Sequence, residues 1–422
     1  MRLSAFIDYE AGDRAERRRL AAEKSYEILD RLDGIGDQFG DVADDGGFGS
    51  VSPSIFVGRS GYPEVSTGLL SPVGNETTAA QFATSSEWYD EGVSITDVFD
   101  RRTSLLNASQ STPVETTVHD SWEGFLGVQR EVAIADRPVG IEVGLDGTPE
   151  LDLSLSPGDV STPTGPRAHA TDATLTENPH VPRPVKKTLE DDDWGATGAM
   201  NYLYNRGFDV YEINTILSAG ALGQRENRRL VPTRWSITAV DDTVGQFLRG
   251  KQRDATSVDT VSVWHNEYLG NSFWVILAPG HWEFELVEFK APGSVWNPDP
   301  AAGIWLASDY EGAGGRTSYV EQTAGAYYAA RLAVLESLDR IGRQAKALVL
   351  RHVSDEYWGP VGVWQVREAV RHAFDGEHGE CETFDDAVSE IVELLPVSMA
   401  DLRRQSTLVA GRQSGLDAFD SV

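Results

Sequence analysis

Between residues 258 and 291 three runs rich in valine, tryptophan and phenylalanine follow one another, broken by Gly270-Asn271 and Pro279-Gly280. Such runs, each short and bounded by turn dipeptides, predict strands over 258–269, 273–278 and 282–291 joined as an antiparallel meander. The helical signals lie mostly elsewhere. Over 319–348, Tyr327, Tyr328, Leu332, Leu335, Leu338 and Ile341 share one stripe of a 3.6-residue repeat and predict the longest helix, with two more near 361–374 and 383–395. Strands and helices in segregated runs, with no regular strand–helix–strand alternation and no internal repeat, predict an α+β fold with helices flanking the meander and a helical C-terminal region.

Upstream the pattern is shorter-ranged. Leu20, Tyr26, Ile28, Leu29 and Leu32 predict an exposed helix over 13–33, stopped by Gly34 and Gly36, and the Gly/Asp-rich stretch 37–50 reads as loop. Ile55-Phe-Val-Gly reads as a buried strand entering a Gly61-Tyr-Pro turn. Helices are expected over 86–106 and 119–135, then a strand over 139–145 ending at Asp146-Gly147. Prolines 149, 157, 163, 166, 179, 182 and 184 among Thr, Ser and Asp predict an unpacked, mobile insertion over 147–190. Two short helices follow at 200–207 and 210–220, and from Arg234 the pattern turns towards strands. The expected organisation is an N-terminal α/β part (1–146), the insertion (147–190), the rest of the main region (191–300), a helical region (301–408) and a flexible tail (409–422).

Composition bounds the function classes. No apolar run reaches the roughly 18–20 residues of a membrane span, and Met1 to Glu10 carries no apolar signal core, so a cytoplasmic protein without membrane contact is expected. One cysteine, Cys381, excludes an internal disulfide and any multi-cysteine zinc or iron–sulfur site. Acidic residues outnumber basic ones 66 to 36, a formal charge of -30. Of the basic residues only Lys24, Lys186, Lys187, Lys251, Lys290 and Lys346 are lysines. Acid spread along the whole chain, with lysine scarce, looks like a haloarchaeal surface adapted to molar salt rather than a functional acidic patch. The fold should then need salt: its melting temperature should rise between about 0.1 and 3 M KCl, because screening removes the self-repulsion. A midpoint that is flat or falls with salt would refute the halophilic reading.

Four segments could carry chemistry. In the tail, Gln413-Ser-Gly-Leu416-Asp-Ala-Phe419 fits glutamine-x-x-aliphatic-x-x-aromatic, the core of a peptide that docks on a replication sliding clamp (PCNA). In one 3₁₀ turn residues three apart share a side, so Leu416 and Phe419 make an apolar plug with Gln413 beside it. The turn after Ile55-Phe-Val-Gly offers Arg59 and the Ser60 and Gly61 amides to a phosphate, with Tyr62 alongside; a tight turn on a buried strand explains the same residues. In Pro232-Thr-Arg234-Trp235-Ser-Ile-Thr-Ala-Val-Asp241-Asp242, Trp235 could stack on a base, Arg234 could hold a phosphate and the two aspartates a divalent ion; Thr238 or Asp241 as the cap of a helix over 243–249 is the structural alternative. Glu288-Phe-Lys290 outlines a restriction-type nuclease site, in which Asp241, Asp242 or Glu267 would join Glu288 around Mg²⁺ and Lys290 would polarise water. Gln110-Ser-Thr-Pro113-Val-Glu115 and His119-Asp120 put polar groups before an expected helix, with Asp120 or Thr117 as its cap.

Taken together, Lys24-Ser-Tyr-Glu-Ile-Leu-Asp, Ser54-Ile-Phe-Val-Gly-Arg-Ser-Gly-Tyr-Pro, Pro232-Thr-Arg-Trp-Ser-Ile-Thr-Ala-Val-Asp-Asp, Glu267-Tyr-Leu-Gly-Asn and the tail peptide resemble the archaeal Nre DNA-repair proteins over nearly the whole chain. The resemblance implies an N-terminal and a C-terminal region, action on DNA, and clamp docking through Gln413, Leu416 and Phe419. Some relatives carry a four-cysteine zinc finger near the N-terminus, which a chain with one cysteine cannot build. The resemblance assigns no catalysis. Two functions therefore stand: a clamp-recruited repair factor without a cofactor, or a Mg²⁺-dependent nuclease acting on repair intermediates.

Overall fold

The computed structural model describes residues 46–74, 76–115, 122–150 and 164–411. The helix expected over 13–33, Thr117, His119-Asp120 and the tail residues Gln413, Leu416 and Phe419 lie outside them. The described residues divide into two compact units, one up to Val244 and one from Gly245 onward. Among them no helix is long and apolar enough to cross a membrane.

The first unit is built on a six-stranded sheet of β1 (Gly47–Ser52), β2 (Ser54–Val57), β3 (Glu64–Pro72), β4 (Leu105–Pro113), β5 (Val139–Glu150) and β6 (Arg167–Leu175), in the order β1-β5-β6-β4-β3-β2. Among the described residues its one parallel pair is β4 with β6, over Asn107–Ser109. Helices α1 (Glu87–Asp90), α2 (Ile95–Thr103), α3 (Gly124–Ile134), α4 (Arg183–Glu190), α5 (Ala196–Asn205) and α6 (Val210–Ser218) fill the connections, and α7 (Thr233–Gln252) runs through the division between the units. The helix expected over 86–106 is interrupted. Gly92 takes φ +66°, and a new helix starts where Ser94 and Asp97 form a reciprocal capping box. α6 opens on the same device, Asp209 with Glu212. α3 lies against β6 and β2, and its fully buried Gln129 accepts from the Thr67 hydroxyl at 2.6 Å. The opposite sheet face is polar: on β6, Arg167 and His169 are exposed while Ala168 and Ala170 are buried.

The expected unpacked insertion over 147–190 is corrected here. β6 sits inside the sheet and α4 follows it, leaving only 151–163 of that stretch outside the described residues. Of the described prolines, Pro149 lies near the end of β5, Pro166 and Pro179 flank β6, and Pro182 and Pro184 open α4, where a missing amide donor costs nothing. The strand pattern read from Arg234 is corrected too: Thr233–Gln252 is helical throughout, so Thr238 and Asp241 are interior positions and cap nothing.

The second unit holds β7 (Val261–Tyr268), β8 (Asn271–Ala278), β9 (Glu283–Lys290), β10 (Trp305–Glu311), β11 (Lys346–Val353) and β12 (Gly379–Cys381), in the order β10-β9-β11-β8-β7-β12. The three strands expected between 258 and 291 are present, and β7 and β8 form the expected hairpin. The meander stops there, because β11 enters between β8 and β9, antiparallel to the first and parallel to the second. β8 ends and β9 begins opposite the same residue, Lys346, so the link over 279–282 spans two strand spacings, about 10 Å, well within its reach. β8 and, from Ala347 on, β11 are buried along their whole length, which demands helices over both faces. Those are α8 (Gly325–Ile341) and α9 (Trp364–Ala373) on one side and α10 (Phe384–Val392) with α11 (Met399–Gln405) on the other. Trp274, Ile276, Phe289 and Leu350 pack against Val388, Ile391 and Leu402, while Phe284 meets Tyr327 of α8 edge-on at 5.1 Å. The region after 300 is thus mixed, contributing β10, β11 and β12 to the sheet, and the architecture is α+β with two mixed sheets.

Buried acids tie this unit together. Asp309 of β10 accepts from the amides of Glu321, Gln322 and Thr323 and from the Thr323 hydroxyl, all at 2.8–3.0 Å. Burial pushes its carboxyl up, but these four donors outweigh burial and hold it below the ordinary aspartate value. Its contribution is therefore complete above the unfolded-state pKa and is lost as pH falls through the depressed folded one. Asp309→Asn should cost about 1–3 kcal/mol at neutral pH and flatten the acid limb of a stability–pH curve. Urea unfolding across pH would check this, and an unchanged acid limb would refute it.

Candidate functional site

Two motifs far apart in the chain meet at one end of the first sheet. β2 leaves the sheet at Val57, and Gly58 donates to Ser66 O at 2.7 Å, opening a turn over 58–63. Gly61 has φ +83°, and a Cβ there would lie 2.8 Å from Glu64 O, so the turn needs glycine. The Tyr62–Pro63 peptide bond is cis. Pro63 O accepts from Val114 N and Val114 O accepts from Leu230 N, both at 3.0 Å, which zips the chain entering α7 onto the turn. Thr233 Oγ1 accepts from Val57 N at 2.9 Å, and the fully buried Ser236 donates to Asn214 Oδ1 at 2.5 Å. With Thr233 and Ser236 fixed inward, Arg234 and Trp235 face outward from the first turn of α7.

The result is an exposed aromatic pair. The Tyr62 and Trp235 rings lie 5.1 Å apart at 54°, each about half exposed (50 % and 45 %). Arg59 and Arg234, both exposed, flank it, and among the described residues neither guanidinium is paired with a carboxylate. The amides of Ser60 and Gly61 likewise meet no acceptor among the described residues. In a chain with 66 acidic residues, two unpaired arginines beside unburied aromatic rings are an arrangement the fold itself does not need. Chemically it offers a π surface for a planar ring and cationic and amide donors for an anion. The two sequence motifs, Arg59 with Tyr62 and Arg234 with Trp235, thus meet through their aromatic residues.

The nuclease constellation is not assembled. Glu288 and Lys290 are both buried and pair with each other at 3.1 Å, while Arg351 Nη1 lies 2.6 Å from the other Glu288 oxygen. Arg351 also donates to Asn271 Oδ1 at 2.9 Å, so Glu288 is one member of a closed, buried polar network. Lys290 Nζ rests over the Trp305 ring, 4.3 Å from its centroid. Glu267 on β7 is exposed and three strand positions from β9, about 14 Å, too far to share an ion with Glu288. Asp241, buried, and Asp242, half-buried, sit within α7 in the first unit. Among the described residues no group of three or more His, Cys, Asp or Glu side chains is placed to hold a metal ion.

A further polar surface escaped the sequence reading. An open groove of about 420 Å³ runs along the exposed sheet face between β3, β4, β5 and β6, where Ser66, Ser109 and Ser111 face Arg167 and His169. Its β6 side lay in the stretch expected to be unpacked. The alternation of exposed Arg167 and His169 with Ala168 and Ala170 was the available signal.

Comparison with known proteins gives two family models. One described as "Archaeal Nre, N-terminal" matches residues 20–297, and one described as "Archaeal Nre, C-terminal" matches residues 311–419. The two models meet between 297 and 311, whereas the compact units divide at 244, because β7, β8 and β9 join the second sheet. A protein of Haloferax volcanii named DNA repair protein NreA is 68 % identical over 421 residues, covering 100 % of both chains. Two proteins of Archaeoglobus fulgidus, named DNA repair protein NreA and DNA repair protein NreB, are 38 % and 35 % identical, covering 80 % and 88 % of this chain and 82 % and 91 % of their own lengths. No solved structure matches.

Proposed function

We propose that this chain, which belongs to the archaeal Nre family, is a DNA repair factor brought to its sites by the sliding clamp and contacting DNA through the Arg59–Tyr62 and Arg234–Trp235 patch. The observation that carries the DNA contact is the convergence of two exposed aromatic rings with two unpaired arginines and two unoccupied amides on one surface. Protein–DNA contacts are mostly to phosphate, from arginine and backbone amides, and stacking adds a contact that tolerates any sequence. The names of three relatives, each a DNA repair protein, support the setting. Recruitment rests on the peptide Gln413-x-x-Leu416-x-x-Phe419. Binding without catalysis is preferred over nuclease action because Glu288 is committed to Arg351 and Lys290.

The test is binding of fluorescently labelled DNA by the full chain and by Arg59→Gln/Arg234→Gln. Loss of two phosphate contacts should weaken binding about tenfold at low salt and flatten its salt dependence by about 1.4 in log–log slope. Equal binding by wild type and variant would refute the patch as the DNA contact.

A further inference from the structure

Resting on that DNA-binding reading, the geometry points to a more specific ligand: single-stranded DNA, with an unpaired base stacked on the Tyr62–Trp235 pair and its backbone continuing along the serine-lined groove to Arg167 and His169. The first step is exposure of ring faces. A side-chain ring can stack only on a base whose own face is open, and in a duplex interior both faces of every base are taken by neighbours. Half-exposed Tyr62 and Trp235 are already tilted against each other and can receive a base that is unstacked.

The second step is continuity. Ser66 lies four residues beyond Tyr62 on β3 and pairs with Ser111 of β4, and Ser109 pairs with His169 of β6. β3 starts at Glu64, two residues after Tyr62, and Gly68, opposite Ser109, is four residues further on, about 13 Å of strand, within the span of one short oligonucleotide. The groove between them is walled by Ser66, Ser109 and Ser111, whose hydroxyls both donate and accept, and by Arg167 and His169. Asp146 and Glu150 of β5 stand in register opposite His169 and Arg167 and repel phosphate, so the backbone would approach Arg167 and His169 from the β4 side. Arg167, like Arg59 and Arg234, pairs with no carboxylate among the described residues.

The third step is salt. Phosphate contacts weaken with salt, with a log–log slope near −0.7 per contact on single strands, whereas stacking does not. A chain of net charge -30 gains little from long-range attraction, so the aromatic pair must carry the binding that survives at high ionic strength.

The experiment compares a labelled oligonucleotide of about twenty residues, a duplex with a single-stranded gap, and an intact duplex, by anisotropy from low to molar KCl. Full-length wild type, Tyr62→Ala, Trp235→Ala, Trp235→Phe and Arg167→Gln are used. Single-stranded and gapped DNA should bind at least tenfold tighter than intact duplex. Each alanine variant should lose about tenfold at every salt concentration, Trp235→Phe should keep most of the affinity, and the Arg167→Gln loss should fade as salt rises. Equal or tighter binding of intact duplex, or no loss in Tyr62→Ala and Trp235→Ala, overturns this inference and leaves a general DNA contact standing. No binding to any of the three DNAs overturns the wider reading as well. If Trp235→Ala lowers the melting midpoint, the exposed turn variant Tyr62→Ala carries the test alone.

Discussion

Arg351→Ala should destabilise the protein by about 3 kcal/mol, the lower end of what breaking a buried ion pair costs. Arg351 is buried on the fully buried strand β11, between β8 and β9. Its guanidinium meets Glu288 at 2.6 Å and Asn271 at 2.9 Å, with Gln365 Oε1 at 3.4 Å. Removing it leaves the Glu288 carboxylate with only Lys290 and strands the Asn271 oxygen in a place water does not reach. The cost should stay at the low end because Lys290 remains at 3.1 Å to hold part of the charge. For a unit of about 170 residues, such as the one from Gly245 onward, that is a fall in melting temperature of roughly 6–12 °C. The same residues discriminate against the nuclease reading. If Glu288 is structural, Glu288→Gln also lowers the midpoint and Mg²⁺ does not change that of wild type. A midpoint unmoved by Arg351→Ala, or raised by Mg²⁺ in wild type but not in Glu288→Gln, would return Glu288 to the list of metal ligands.

How far the sequence could be read depended on the range of the signal. β8 was legible because Asn271–Ala278 is apolar nearly throughout; the capping box of Ser94 with Asp97 is an equally local signal, yet it was passed over and a single helix expected across it. β11 was not: Lys346–Val353 follows the stripe of α8 almost without a break, and Ala347, Leu348 and Leu350 suit a helix as well as a strand. What separates them is Gly342 at φ +63°, a single left-handed residue ending α8. Because β11 was missed, the two-residue Pro279-Gly280 break looked like a hairpin turn rather than a step across an inserted strand. β6 was missed for the opposite reason. Its exposed face is polar and its buried face only alanine, so the period-2 signal between Arg167 and Ala170 is weak against a background of proline. The site divided along the same line. Arg59, Tyr62, Arg234 and Trp235 stood out one by one as unusual residue types, but their meeting depends on the Pro63–Val114–Leu230 hydrogen bonds, which no local pattern encodes. The Glu288-x-Lys290 spacing could not reveal that Glu288 also pairs with Arg351, because Arg351 comes from the strand that was missed.

Phe419→Ala should weaken binding to the sliding clamp about thirtyfold, the loss expected when an aromatic anchor worth about 2 kcal/mol leaves a small interface. Deleting residues 413–422 should abolish binding. Leu416→Ala should cost less than Phe419→Ala, and Gln413→Ala less again, because the hydrogen bond it supplies is partly replaced by water. Peptides of this kind usually end in two aromatic residues, and here Asp420 holds the second place. Wild-type affinity should accordingly be micromolar, about 8 kcal/mol, and Asp420→Phe should tighten it. The fold should not notice the deletion, because the chain is anchored before it. The fully buried Glu285 of β9 accepts from the Ser406 hydroxyl at 2.7 Å and from the amides of Thr407 and Leu408 at 2.8 Å, and Leu408 and Val409 are buried in the same core as α10. That carboxylate fixes residues 406–408 to the sheet whether or not anything follows, so the melting temperature of the truncated chain should match the full one. Calorimetry of the clamp with the full chain, the truncation and a synthetic peptide spanning 409–422 measures all of these. Clamp binding that survives Phe419→Ala, or a truncated chain that melts well below the full one, would place these residues in the core and end the recruitment proposal.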